Sequence, residues 1–248
     1  SNLMEGDLWG SDVTVTSSRG YAASLPIAEY VIAGFLHFAR GLHRAAVDAR
    51  AGRFDKRAYA PLQLAGKTAL VIGAGGIGRA VGRLAAALGM NVVGTRRTPD
   101  GPLPEGFTRM HAPDALPGLL GAADFIAVCC QWTPETEGLI GRDAFAAMKA
   151  DAVLVNVARG EIVDTAALLA ALAENRLRGV ALDVYTGEFS GPPDAALWRD
   201  QRVLLTPHVS GGADGGSRTR AIEIFCRNLA AWLDGRPLEN VIDWKRGY

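Results

Sequence analysis

The feature that most constrains the fold is an apolar run that ends in three glycines. Residues 68–78 read Thr-Ala-Leu-Val-Ile-Gly-Ala-Gly-Gly-Ile-Gly, and an Ala- and Leu-rich segment follows. This order predicts a strand, a tight turn and a helix, the context in which such glycines bind a dinucleotide. Gly73 permits the turn, Gly75 lets the backbone approach a pyrophosphate, and Gly78 lets the helix pack closely on the strand. The helix N-terminus offers free N–H groups to the phosphates; the alternative is an ordinary strand-to-helix turn.

Two arginines follow the next predicted strand, Asn91–Thr95. Dinucleotide sites that select NAD place an acidic residue there, which binds the ribose 2′-hydroxyl. Arg96 and Arg97 instead suit a 2′-phosphate, so the sequence predicts NADP, with NAD as the second choice. The alternative is a solvated loop, because cofactor choice depends on where each guanidinium group points.

The composition is that of a globular protein with no overall charge preference. Of 248 residues, 49% are hydrophobic and 21% are charged, and the formal net charge is zero. A neutral chain has no global field that attracts nucleic acid or an anionic membrane, and no apolar run is long enough to span a bilayer. The three cysteines lack the spacing of metal ligands or of a disulfide framework. They favour a reducing, cytoplasmic location.

Strands and helices alternate along most of the chain, which predicts an α/β fold with a doubly wound parallel sheet of the Rossmann type. A short strand is expected at Asp12–Thr16, a loop at Thr98–Gly106, and a helix capped by Asp164. The other predicted strands are 67–72, 91–95, 124–130, 152–157, 179–184 and 202–206. The predicted helices are 24–43, 76–88, 115–120, 142–149, 165–175 and 217–233.

Several polar side chains follow predicted strands, at the edge of an open parallel sheet where ligands bind. Arg159 can clamp a carboxylate or hold a carbonyl oxygen as negative charge develops on it. Asp183 ends an apolar strand, where an unpaired carboxylate is costly, and could accept a hydrogen bond from the nicotinamide amide. His208 can protonate a ketone oxygen as hydride arrives at the carbon, and Glu188 would favour its imidazolium form.

Each of these residues also has a structural interpretation. Arg159 could pair with its neighbour Glu161, Asp183 could cap a helix or form a salt bridge, and His208 could be structural. The sequence alone leaves these alternatives open.

In their order along the chain, these segments resemble the D-isomer-specific 2-hydroxyacid dehydrogenase family, which includes glyoxylate/hydroxypyruvate reductases and D-3-phosphoglycerate dehydrogenases. The resemblance runs from about Val13 to the end of the chain. Its motifs are the glycine turn, Thr133–Thr136, Asn156–Asp164, Ala181–Val184 and Thr206–Gly212.

The resemblance implies that Arg159 binds substrate, that His208 is the acid/base, and that Glu188 is its partner. It also implies that Asp183 holds the nicotinamide and that Arg96 occupies the ribose-selecting position. The expected cofactor contacts are Gly73, Gly75, Gly76, Ile77, Gly78, Arg96, Arg97, Cys130, Val157, Ala158, Arg159, Asp183, His208 and Gly211.

The sequence departs from the family pattern at two places. Cys129–Trp132 stands where a His-x-Pro-Leu run is common, and Phe189 follows Glu188 where proline is usual. Trp132 could be a packing residue or could narrow the cofactor cleft.

The largest departure lies at the N-terminus, because the family builds most of its substrate domain from the segment before the long helix. That segment, roughly a hundred residues and so a domain's worth, is almost wholly absent. We expect residues 1–20 to be a remnant of the substrate domain, 21–236 the dinucleotide-binding domain, and 237–248 a tail that returns to the substrate domain. The chain is then expected to be a fragment or a truncated product.

The resemblance implies an oxidoreductase that transfers a hydride between NADP(H), or NAD(H), and the 2-carbon of a small 2-hydroxy or 2-oxo acid. The alternative is a nucleotide-binding module without independent catalysis, either truncated or corepressor-like. An S-adenosylmethionine-binding enzyme is a weaker reading, because Arg159, Glu188 and His208 occur in family order. The long helix Ser24–His43 is apolar on more than one face, and the resemblance implies that this region helps to form a two-fold homodimer. The alternative is simple burial of that helix in the domain core.

Overall fold

Seven parallel strands form one sheet in the order β3-β2-β1-β4-β5-β6-β7. The computed structural model describes residues 10–18, 20–212 and 216–244. The strands are β1 (Thr68–Ile72), β2 (Asn91–Thr95), β3 (Phe107–His111), β4 (Phe125–Val128), β5 (Ala152–Asn156), β6 (Leu177–Leu182) and β7 (Val203–Leu205). Strand order reverses direction between β1 and β4, which opens a crevice at their carboxyl ends. The predicted α/β, doubly wound parallel fold is confirmed.

Helices cover both faces of this sheet, which is why its central strands are almost wholly apolar. The helices are α1 (Ser24–Ala39), α2 (Leu42–Arg50), α3 (Gly76–Ala87), α4 (Leu116–Leu120), α5 (Arg142–Ala147), α6 (Thr165–Ala173), α7 (Ala195–Arg199) and α8 (Gly216–Leu233). Successive side chains of β1 point to opposite faces. Ala69 and Val71 join one core with α1 and α3, whereas Leu70 and Ile72 join a second core with α4, α5 and α6.

Close backbone contact fixes α1 against the sheet. A Cβ added at Gly179 of β6 would lie 2.1 Å from the Phe38 ring, and one at Gly34 would lie 3.0 Å from Val155. Phe35 and Phe38 are fully buried. The helix is therefore a rigid support beside the carboxyl ends of β5 and β6.

Several predicted elements were wrong in detail. Asp12–Thr16 is not a strand, since it contributes only an isolated bridge between Thr16 and Val241. The long helix from Ser24 ends at Ala39, because Gly41 adopts a left-handed conformation with φ 71° before α2 begins. The helix α2, the edge strand β3 with its little burial, and the short helix α7 were not predicted.

The chain divides into two compact units. Ser24–Gly211 forms one, and the second comprises the described residues of Ser1–Ala23 and Gly212–Tyr248. Within the second unit, Arg227 of α8 pairs with Glu239 at 2.9 Å. The assignment of residues 1–20, 21–236 and 237–248 to domains stays a prediction. Among the described ranges, no helix combines the length and the apolar character that a membrane span needs.

Candidate active site

The glycine turn after β1 is shaped by two contacts that only glycine allows. Gly73 has φ 95°, and a Cβ there would lie 2.5 Å from the Cα of Cys130. Its N–H donates to the carbonyl of Thr95 at 3.1 Å, which joins the turn to the end of β2. A Cβ at Gly78 would lie 2.2 Å from the carbonyl oxygen of Gly73. These two glycines therefore serve the turn and the helix packing.

Gly75 is different, because no contact with the described residues requires a glycine there. Its backbone is extended, with φ −80° and ψ −156°, and an added Cβ would meet no atom within 4 Å. It directly precedes α3, whose first amides, at Gly76, Ile77 and Gly78, lie in the turn where N–H groups have no partner in the helix. Open space in front of a helix N-terminus fits a dinucleotide pyrophosphate. The residues present at this turn therefore fit the cofactor.

The two arginines after β2 have different surroundings. The Nη2 of Arg96 donates to the carbonyls of Pro99 and Asp100 at 3.1 and 3.0 Å, so Arg96 folds its own loop back. Its Nε is buried without a hydrogen-bond partner in the described part of the chain. Arg97 is exposed. A hydrogen bond from Thr133, with a smaller effect of the Arg97 charge, lowers the pKa of Glu135 in the loop after β4.

Two neighbouring thiols line the turn at the end of β4. Burial raises the pKa of Cys130 to about 11, and it raises the pKa of Cys129 as well. Both side chains are therefore neutral thiols near neutral pH. Cys130 lies against Gly73, so it contributes shape rather than charge to the turn after β1.

A buried asparagine shapes the loop that carries Arg159. The side chain of Asn156, at the end of β5, is fully buried. Its Nδ2 donates to the carbonyl of Arg159 at 2.9 Å, and its Oδ1 accepts from the amide of Ala158 at 3.0 Å. Val157 and Ala158 are buried and Arg159 is exposed. Within the described ranges, Arg159 makes no ion pair with Glu161, the alternative that the sequence left open.

Gly160 joins the loop after β5 to the loop after β6. A Cβ there would lie 2.0 Å from the backbone carbon of Tyr185 and 2.2 Å from the amide nitrogen of Thr186. This contact brings the Arg159 loop against the segment that leads to Glu188. Gly160 was not predicted as a site residue. A glycine directly after the candidate Arg159 could have indicated this close contact between the two loops.

Asp183 lies at the end of β6 and is 1% exposed. Its Oδ1 accepts from Thr206 Oγ1 at 2.6 Å and from the Val209 amide at 2.9 Å, and its Oδ2 accepts from the Ser210 amide at 2.9 Å. Within the described residues, Asp183 therefore neither caps a helix nor forms a salt bridge. A carboxylate accepts about four hydrogen bonds, so one position remains for a ligand such as the nicotinamide amide.

The predicted pair of His208 and Glu188 is formed. Nδ1 of His208 lies 3.0 Å from Oε1 of Glu188, and the side chains are 42% and 9% exposed respectively. This leaves Nε2 on the exposed side of the ring. His208 has φ 53°, a left-handed conformation that costs energy for a residue with a Cβ. Such strain persists only where surrounding contacts fix the backbone, and the carbonyl of Asp183 accepts the His208 amide at 2.9 Å.

The remaining predicted residues border this edge of the sheet. Gly211 is half-buried and directly follows the amides that bind Asp183. Trp132 is 46% exposed, so it is not a core packing residue. Phe189 is 89% exposed, and its ring centroid lies 6.4 Å from that of His208. An exposed aromatic ring therefore stands beside the imidazole.

The crevice fold and this arrangement of residues are those of a dinucleotide-binding unit with a histidine–glutamate pair at its edge. Comparison with known proteins identifies the family: residues 32–210 match the model of the D-isomer specific 2-hydroxyacid dehydrogenase NAD binding domain. The chain belongs to that family.

Individual relatives agree with this assignment. D-3-phosphoglycerate dehydrogenase from Methanocaldococcus jannaschii is 34% identical over 225 residues, which cover 90% of this chain and 42% of the relative. Glyoxylate reductase from Thermococcus gammatolerans is 35% identical over 240 residues, 90% of this chain and 70% of the relative. The chain thus spans less than half of the first protein's length.

One solved structure matches this chain over nearly the whole length of both proteins. The D-isomer specific 2-hydroxyacid dehydrogenase from Xanthobacter autotrophicus Py2, in complex with NADPH and MES, has a TM-score of 0.85 and 33% identity. The match covers 100% of this chain and 98% of that chain.

Proposed function

We propose that this chain belongs to an NADP(H)-dependent oxidoreductase that acts on a small 2-oxo or 2-hydroxy acid. The observation that carries the proposal is the pairing of His208 with Glu188 at 3.0 Å, at the sheet edge that also carries Arg159. Arg159 lies on a loop that contacts the Glu188 segment through Gly160. These residues supply the cation, the proton and the orienting carboxylate that reduction of a 2-oxo acid needs.

The roles follow from the chemistry of the side chains. The bound nicotinamide supplies or accepts the hydride. Nε2 of His208 donates a proton to the carbonyl oxygen as it becomes an alkoxide, and takes it back in the oxidative direction. Glu188 orients the ring through Nδ1. Arg159 binds the substrate carboxylate as a planar pair of donors, and Asp183 accepts from the nicotinamide amide.

Turnover tests the proposal directly. NADPH oxidation with a panel that includes glyoxylate and hydroxypyruvate should be fast with the wild-type protein. His208→Ala should lower kcat by about 10²–10⁴-fold while NADPH affinity, read from cofactor fluorescence, stays the same. If His208→Ala keeps full activity, His208 is not the acid.

The proposal also specifies the cofactor as NADP(H) rather than NAD(H). We assign the 2′-phosphate to Arg97 and to the remaining donors of Arg96, since part of the Arg96 guanidinium is engaged by Pro99 and Asp100. The Xanthobacter relative was crystallised with NADPH, which supports this choice. Calorimetry with 2′,5′-ADP and 5′-ADP checks it: Arg97→Leu should weaken only the first ligand. Equal affinity of the wild-type protein for both ligands would favour NAD.

A nucleotide-binding module without turnover is the second candidate. The exposed Arg159 and the 42% exposed His208 side chain leave the substrate side of the site open to solvent in this chain. Tight NADPH binding without reduction of any 2-oxo acid would favour this candidate.

The assembly, location and domain limits also stay proposals. We propose a homodimer, a cytoplasmic location, and a dinucleotide-binding domain over residues 21–236 flanked by parts of a substrate domain. The inner face of α1 is buried within the chain, at Val31, Phe35 and Phe38 among others. A dimer would therefore use the outer residues of this helix. Light scattering at micromolar concentration checks the assembly, and a monomer mass would refute it.

A further inference from the structure

A chain of hydrogen bonds connects α1 to the backbone that carries the imidazole. The hydroxyl of Tyr30 lies 2.7 Å from Oγ1 of Thr206, and Thr206 Oγ1 donates to Asp183 Oδ1 at 2.6 Å. Asp183 in turn accepts the amides of Val209 and Ser210. Tyr30 thus contacts Thr206 directly and is three hydrogen bonds from the amides of Val209 and Ser210, which follow His208.

The hydroxyl protons available decide which group donates in each of these hydrogen bonds. Thr206 has one hydroxyl proton, and the ionised carboxylate of Asp183 can only accept. Thr206 therefore donates to Asp183, and its remaining lone pairs accept from the Tyr30 hydroxyl. Burial raises the pKa of Tyr30 to about 12, so the phenol keeps its proton near neutral pH.

Within the described residues, the carboxylate of Asp183 is stabilised by hydrogen bonds and not by an ion pair. Asp183 is 1% exposed and has no ion-pair partner among the described residues. Its three donors all come from residues 206–210, the segment around the strained His208 backbone. Removal of one donor leaves a buried lone pair unpaired and lets this segment shift.

We propose that Tyr30 is a positioning residue for proton transfer, acting through Thr206 and Asp183 to hold His208 in place. Tyr30 suits this role because α1 is packed tightly on β5 and β6 through Gly34 and Gly179. The tightly packed helix thereby fixes a segment in which Pro207, His208 and Val209 are exposed. The role of Tyr30 in turnover rests on the proposed function, whereas its effect on the loop does not.

Two substitutions at Thr206 separate positioning from packing. Thr206→Val keeps the shape of the side chain and removes the hydroxyl, whereas Thr206→Ser keeps the hydroxyl and loses a methyl group. A positioning role predicts a fall in kcat of about 10- to 100-fold for valine, little change in KM, and rescue by serine. A packing role predicts the reverse order, and that result would overturn the proposal.

Tyr30→Phe tests the outer link. It should lower kcat, and in a Thr206→Val background it should lower kcat no further, because its effect passes through the threonine hydroxyl. Tyr59→Phe is the matched control: its hydroxyl donates to Asp48, away from the sheet edge, and its loss should leave kcat unchanged. Additive losses in the Tyr30→Phe, Thr206→Val double variant would overturn the proposal.

Hydrogen exchange measured by mass spectrometry gives a readout that does not need turnover. In both Tyr30→Phe and Thr206→Val, peptides that cover residues 206–211 should exchange faster, and peptides from β1 and α3 should not. If this faster exchange occurs but neither the wild-type protein nor the variants reduce a 2-oxo acid, the proposed reaction is refuted and the positioning of the loop is still supported. If exchange is unchanged in both variants, the positioning proposal fails whatever the activity.

Discussion

Substitution of each glycine in the turn after β1 by alanine should separate folding from cofactor binding. A Cβ at Gly78 would lie 2.2 Å from a carbonyl oxygen, and one at Gly73 would lie 2.5 Å from the Cα of Cys130. A Cβ at Gly75 would meet nothing within 4 Å. The three positions belong to one motif, yet only at Gly75 does no contact with the described residues require a glycine.

The expected magnitudes follow from these distances. Overpacking against backbone typically costs about 1–3 kcal/mol, and Gly73 adds a conformational penalty because its φ is 95°. Against a total stability of about 5–15 kcal/mol, Gly73→Ala and Gly78→Ala should be clearly less stable. Gly75→Ala should be as stable as the wild-type protein or more stable by about 0.4–1 kcal/mol, because alanine has less freedom in the unfolded chain.

Cofactor affinity should show a different order. The added methyl of Gly75→Ala occupies the space in front of α3, so NADPH affinity should fall at least about tenfold, or 1.4 kcal/mol. Chemical denaturation without cofactor gives the stability, and titration followed by cofactor fluorescence gives the affinity. Gly191→Ala is the control, since its Cβ also meets no atom within 4 Å. If Gly75→Ala binds NADPH normally, the pyrophosphate does not lie at this turn.

Other contacts lead to predictions that need only one variant each. Gly160→Ala should lower both Tm and kcat, because its Cβ would lie 2.0 Å from the neighbouring loop, whereas Gly191→Ala should change neither. Asp164→Ala should cost about 0.5–2 kcal/mol in denaturation, because its side chain caps α6 at 3.0 Å. Burial lowers the pKa of His43 below 6.5, so the unfolded chain binds a proton first and stability falls as pH drops below that value. His43→Gln should flatten this loss in Tm measurements between pH 7 and pH 5.

The strands that the sequence predicted best are those buried along nearly their whole length. β1, β4, β5 and β6 are nearly continuous apolar runs, because helices cover both faces of the sheet. β3 was missed because it is an edge strand in which only Phe107 is buried, so it has no clear pattern. The long helix was predicted to run past Gly41 to residue 43, because a glycine inside a helical pattern is often tolerated.

The candidate site also contains residues that the sequence could predict and one that it could not. Arg159, Asp183, Glu188 and His208 could be predicted because the ends of parallel strands meet at one edge, whatever their separation in sequence. Tyr30 could not, because an aromatic residue in an apolar helix has the appearance of a core residue. Its hydroxyl partner is 176 positions away, and no local pattern joins the two.

The side chains at the sheet edge differ widely in exposure, from the proposed nicotinamide contact Asp183 to the proposed substrate contact Arg159. Asp183 is 1% exposed and holds three donors, the Glu188 side chain is 9% exposed, the His208 side chain is 42% exposed, and Arg159 is exposed. Buried, fully bonded groups are fixed before any ligand binds, whereas exposed ones need a partner to restrict them. Changes at Asp183 should therefore appear already in NADPH affinity without substrate. Changes at Arg159 should appear only when a 2-oxo acid is present, because its orientation is completed by the substrate carboxylate.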